Sequence, residues 1–178
     1  MHALGHCRVA LVKTDPNPIE AAEPAVRALA AALTARGLTL ATAESCTGGL
    51  IAAACTAIAG SSDWFERGVV TYSNAAKTEL LGVPAAMIAR FGAVSAEVAR
   101  AMAEGVLART PASLALAVTG IAGPGGGSPD KPVGTVWLAW AVRGGVCDSR
   151  LLQLDGDRAT VRLSTVLLAL EAGRAAMR

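Results

Sequence analysis

A chain of 178 residues can bury one substantial core, and 53% apolar residues exclude an intrinsically disordered polypeptide. Aromatic residues make up only 3% of it, so the core must rest on Ala, Val, Leu and Ile. A net charge of +2, with the 16 basic residues scattered, excludes an electrostatic nucleic-acid binder.

Residues 1–18 read as an irregular tail, because "TDPNP" carries two prolines and no periodicity. A single domain is expected over 19–178. Its first helix is expected to start at Glu23, with Pro24 in the first turn, a stripe of Val26, Leu29, Ala30 and Leu33, and Gly37 as the stop. "LTLATA" (38–43) reads as a strand and "CTGGLIAAACTAI" as the following helix. "GVVTYS" (68–73) is strand-like, and "NAAKTELLG" and "PAAMIARFG" read as short helices closed by glycine. Ser95 is placed to cap a helix carrying Val98, Ala101, Met102, Gly105 and Val106 at 3.6-residue spacing. "SLALAVTGIAG" (113–123) is an apolar strand opening into the loop "GPGGGSPDKP". "VGTVWLAWAV" and "CDSRLLQLD" form a hairpin through Arg143-Gly144-Gly145, and a last helix starts near Asp157. This alternation predicts a three-layer α/β/α domain with a mixed, mostly parallel sheet and a late antiparallel hairpin.

No segment reads as a membrane span or a signal peptide, so a cytoplasmic protein with no membrane partner is expected. The four cysteines, Cys7, Cys46, Cys55 and Cys147, form no CxxC pair and are expected to be free thiols. The only histidines, His2 and His6, lie in the tail, which argues against Ser-His-Asp, Cys-His or His-rich metal chemistry inside the domain. The remaining candidate bases are few: lysines occur only at 13, 77 and 131, and Tyr72 is the single tyrosine.

Ser45, between an expected strand and helix, sits where α/β proteins place ligands. Amides at the helix start can hold an oxyanion or a phosphate, and Gly48 and Gly49 clear space for a substrate. On these residues alone Ser45 reads first as a helix cap. Cys46 is the rival nucleophile, or simply packing. "TYSNAAK" brings Tyr72 and Lys77 together; a desolvated lysine can serve as base and a tyrosine as relay. The alternative is a solvated lysine and a packed ring. Thr119 to Gly127 forms a glycine-rich loop whose amides can face an anion, or a surface loop, with Lys131 near enough to reach a phosphate. It is not a Walker A loop. Arg158 and Arg162, beside Asp157, can hold a phosphate or carboxylate, or form a solvated rim.

"AESCTGGL", "GSSDWFERGVVTYSNAAKTELLGV", "GAVSAEVARAMAEG", "VTGIAGPGGGSPDKPVGTVWLA" and "GDRATVR" together resemble the C-terminal domain of the competence/damage-inducible protein A (CinA) family, the nicotinamide-nucleotide amidohydrolases. The match runs from about residue 23 onward. The resemblance implies deamidation of nicotinamide mononucleotide to nicotinate mononucleotide and ammonia, in pyridine-nucleotide salvage, without metal or organic cofactor. It points to Ser45 as nucleophile with Tyr72 and Lys77 assisting, and to a substrate site drawn from Thr47, Gly48, Gly49, Thr119, Gly120, Gly123, Gly125, Gly126 and Arg158. Many relatives carry a larger N-terminal domain ahead of this one, so activities tied to that domain are not expected here. The competing expectations are a nucleotide-binding module without turnover, and the same reaction with Cys46 as nucleophile. A homo-oligomer, a dimer by size and apolar composition, is expected.

Overall fold

The computed structural model describes residues 17–177. The calls on His2, His6, Cys7, Lys13 and residues 1–16 of the tail lie outside them. Among the described residues, five strands form one sheet in the order β2-β1-β3-β4-β5. These are β1 (Leu40–Glu44), β2 (Phe65–Val70), β3 (Leu114–Gly120), β4 (Thr135–Val142) and β5 (Cys147–Gln153). β1 pairs in parallel with β2 and β3, whereas β3–β4 and β4–β5 are antiparallel. Four strands therefore point one way and β4 the other, giving the expected mixed sheet with its late hairpin.

The helices are α1 (Pro18–Thr34), α2 (Leu50–Thr56), α3 (Asn74–Leu81), α4 (Ala85–Phe91), α5 (Ala96–Ala108) and α6 (Arg158–Ala176). They cover both faces of the sheet, and the period-two pattern of β3 assigns the layers. Leu114, Leu116 and Val118 join the core under α1, α2 and α6, while Ala115 and Ala117 join the core under α3, α4 and α5. No helix among the described residues is long and apolar enough to cross a membrane.

Local signals place most helix ends. Ser95 accepts from the Val98 amide and Asp157 from the Thr160 amide, as N-caps of α5 and α6. α1 differs: it opens at Pro18 under an Asn17 cap, not at Glu23. Pro24 lies inside it, and the bond it forgoes belongs to the exposed Glu20 carbonyl in the first turn, where water can serve. β2 also differs, ending at Val70 rather than at 73, so Tyr72 falls in the turn to α3.

α2 lies close against β2 because Gly68 has no side chain. A Cβ there would come within 2.6 Å of the Ala52 Cβ and 2.9 Å of Thr42 Oγ1. Gly68→Ala is expected to destabilise the fold by about 1–3 kcal/mol, measured by denaturant unfolding, because neither neighbour is a flexible chain end. An unchanged unfolding midpoint would show that α2 moves away freely.

Candidate active site

The chain leaves β1 at Glu44 and makes a tight turn, Ser45 to Gly49, before α2. Gly48 and Gly49 both have positive φ, 61° and 93°, which explains the glycine pair. Ser45 is thus not a helix cap; Gly49 occupies that position, and Ser45 follows directly from the strand. Its amide donates to the Val118 carbonyl of β3, and the Thr71 amide donates to the Glu44 carbonyl. These bonds fix Ser45 at the carboxyl ends of three parallel strands. That is the switch point where α/β sheets open a crevice.

Ser45 and Lys77 meet there. Lys77 projects from α3, is 1% exposed, donates to the Thr71 carbonyl at 2.8 Å, and has its Nζ 3.1 Å from Ser45 Oγ. No carboxylate pairs with it among the described residues. Burial therefore lowers the Lys77 pKa, opposed only in part by the neighbouring Cys46. Cys46 behaves in the opposite sense: burial pushes its thiol up to about 11, and it packs into the core under α1, α2 and α6.

A cavity of about 230 Å³ opens over this pair. Tyr72, Asn74, Thr119, Gly120 and Arg158 line it, with Ala93 and Val94 from the α4–α5 turn. Tyr72 is 61% exposed, and its hydroxyl accepts from Arg158 Nη2 at 3.1 Å, while Arg158 Nη1 donates to the Gly123 carbonyl at 2.9 Å. Arg158 so stands between this cavity and a second one of about 660 Å³, lined by Gly123, Pro124, Val133, Asp157 and Arg162 among others.

Of the residues expected at the site, Ser45, Tyr72, Lys77, Thr119, Gly120 and Arg158 come together around the first cavity, and Gly123 lies on the second. Thr47, Gly48, Gly49, Gly125 and Gly126 lie outside both linings. Lys131 is not placed to take a phosphate. Its ammonium donates to the carbonyls of Phe91 and Val94 at 3.3 and 2.7 Å, tying the glycine-rich loop to the α4–α5 turn. Arg162 Nη2 likewise donates to the Thr47 carbonyl at 2.7 Å. The helix-start amides also need correction as oxyanion donors, since Gly49, Ile51 and Ala52 donate to the Glu44 carboxylate. Glu44 itself escaped sequence reasoning, because no spacing rule marks an acid that reaches forward around its own turn.

Fold and site define a three-layer α/β protein with a buried serine–lysine pair at its sheet switch point. The CinA C-terminal domain model matches residues 22–177, and the chain belongs to that family. It is 58% identical over 130 residues to a nicotinamide-nucleotide amidohydrolase PncC of Pseudomonas putida, covering 73% of this chain and 81% of the relative. A second protein of that name, from Enterobacter agglomerans, is 54% identical over 143 residues, covering 80% and 87%. A CinA-like protein of Akkermansia muciniphila is 55% identical over 136 residues, which is 76% of this chain. The match spans only 33% of that relative's length. Among solved structures, the competence/damage inducible protein CihA of Agrobacterium tumefaciens superposes with a TM-score of 0.83 at 49% identity, covering 90% of this chain and 96% of that one.

Proposed function

We propose that this chain hydrolyses the carboxamide of nicotinamide mononucleotide, releasing ammonia and nicotinate mononucleotide through a Ser45 acyl-enzyme, as a step of pyridine-nucleotide salvage. The observation that carries the reading is the 3.1 Å approach of a buried, carboxylate-free Lys77 to Ser45 Oγ. A neutral amine there has a lone pair for the Ser45 proton while its own N–H groups serve the Thr71 carbonyl. Ser45 Oγ bonds to the carboxamide carbon as its proton passes to Lys77. Collapse of the tetrahedral intermediate breaks the C–N bond, and the Lys77 ammonium returns the proton to the leaving ammonia. Water, deprotonated by the same amine, then hydrolyses the ester and frees the acid. Tyr72, engaged with Arg158, belongs to the substrate wall in this scheme, which leaves Lys77 as the base.

The two cavities suit the two ends of the substrate. The pyridine carboxamide lies over Ser45, and the ribose phosphate lies past Arg158 toward Arg162. Ammonia release from nicotinamide mononucleotide by the purified chain is the direct test. Binding without release would make the chain a nucleotide-binding module instead. Arg158→Ala is expected to raise KM about 10- to 100-fold with a smaller change in kcat, the loss of one charge-assisted contact. An unchanged KM in steady-state assays would remove Arg158 from the substrate site.

A further inference from the structure

Glu44 is fully buried, yet its carboxylate faces no cation among the described residues. Five donors surround it instead. Thr47 Oγ1 donates to Oε2 at 2.6 Å, as do the Gly49 and Ile51 amides, each at 3.0 Å. Thr42 Oγ1 and the Ala52 amide donate to Oε1 at 3.3 and 2.8 Å. An acceptor-only pattern of this kind fits the ionised acid. The carboxylate thus supplies the negative charge that the start of α2 attracts, and it does so from inside the turn that carries the nucleophile.

Two consequences follow for the reaction. The helix-start amides are already used, so they cannot meet an incoming oxyanion. The amides of Cys46 and Thr47, by contrast, have no oxygen acceptor among the described residues and face only the weakly accepting Cys46 sulfur. They lie one and two positions after the nucleophile. We propose that Glu44 is a positioning residue for amide hydrolysis: its carboxylate clamps the Ser45–Gly49 turn so that the Cys46 and Thr47 amides hold the developing oxyanion. The proposal rests on Ser45 being the nucleophile, but not on which carboxamide is the substrate. Arg162 grips the same turn from outside, at the Thr47 carbonyl, and the two contacts fix the turn's middle from both sides. Such preorganisation matters because donors that must reorganise as charge develops lose most of their catalytic effect.

Glu44→Gln tests it. The amide is nearly isosteric, but its NH2 must face Ala52 N–H on one side or Gly49 and Ile51 N–H on the other, so the clamp opens whichever way it is turned. On nicotinamide mononucleotide we expect kcat to fall on the order of 10- to 100-fold with KM within about twofold, in protein shown by circular dichroism to be folded at the assay temperature. Labelling of Ser45 by a serine-directed fluorophosphonate, mapped by mass spectrometry, is expected to slow similarly. Thr47→Val, which removes one tether and leaves the charge, serves if Glu44→Gln does not fold, with labelling slowed about fivefold. The proposal is overturned if the folded variants label and turn over at the wild-type rate, which would make Glu44 a stability element only. It is equally overturned if the wild type is not labelled at Ser45. Labelling of the wild type without ammonia release would overturn the substrate assignment alone.

Discussion

Ser45→Ala is expected to lower ammonia release on the order of 10³-fold or more, whereas Cys46→Ala keeps it within a few-fold of wild type. The two residues are adjacent and similarly buried, at 9% and 6% exposure, so accessibility does not separate them. Their partners do. Ser45 Oγ has the Lys77 amine within hydrogen-bonding distance, an acceptor for the proton it must lose. Cys46 reacts only as thiolate, and burial holds its thiol near 11, so at neutral pH about one molecule in 10⁴ would carry the anion. The thiol also packs among core residues beneath α1, α2 and α6, although Cys46 borders the same cavity as Ser45 and Lys77. Cys46→Ala should therefore show as a lowered unfolding midpoint and not as lost turnover. Full activity in Ser45→Ala, with loss in Cys46→Ala, would transfer the nucleophile to the thiol.

What the sequence makes legible here is what local chemistry decides. Ser95 and Asp157 announce α5 and α6 because a cap needs only its own next turn. The alternating Leu and Ala of β3 announce a strand covered on both faces. The near-absence of histidine leaves Lys77 among the few candidate bases within the domain, and the structure puts that lysine beside Ser45. The errors are of another kind. Thr71 and Tyr72 have good strand propensity, yet β2 ends at Val70 because β1, its partner, ends at Glu44. Lys131 reads as a free cation only until the α4–α5 turn is seen to offer it two carbonyls. Glu44 carries no mark of its own in the sequence, and its five donors are assembled by a turn whose shape depends on two glycines in the left-handed region. Each of these was decided by a partner distant in sequence or by a turn conformation, and neither leaves a periodic mark.

Lys77 offers the sharpest separation of chemistry from stability, because one residue is expected to affect them in opposite directions. Lys77→Arg and Lys77→Met are both expected to lose about 10²- to 10⁴-fold in turnover, since a guanidinium stays protonated and a thioether cannot take the serine proton. The stability effect comes from burial, which lowers the amine's pKa in the folded state. Below the folded pKa both folded and unfolded chains hold the proton, and the folded state bears the full desolvation cost. As pH rises through the folded pKa toward the unfolded value of about 10.4, the unfolded chain binds more protons than the folded one, so stability increases with pH. Lys77→Met, which cannot ionise, lacks that slope. It is expected to be more stable than wild type below the folded pKa, by a margin that narrows only as pH is raised through that pKa toward the unfolded value, while remaining inactive throughout. Thermal unfolding of both proteins across that range reads the margin directly. A margin independent of pH would mean that Lys77 keeps its ordinary pKa in the fold, and with it would go the argument that a neutral amine waits beside Ser45.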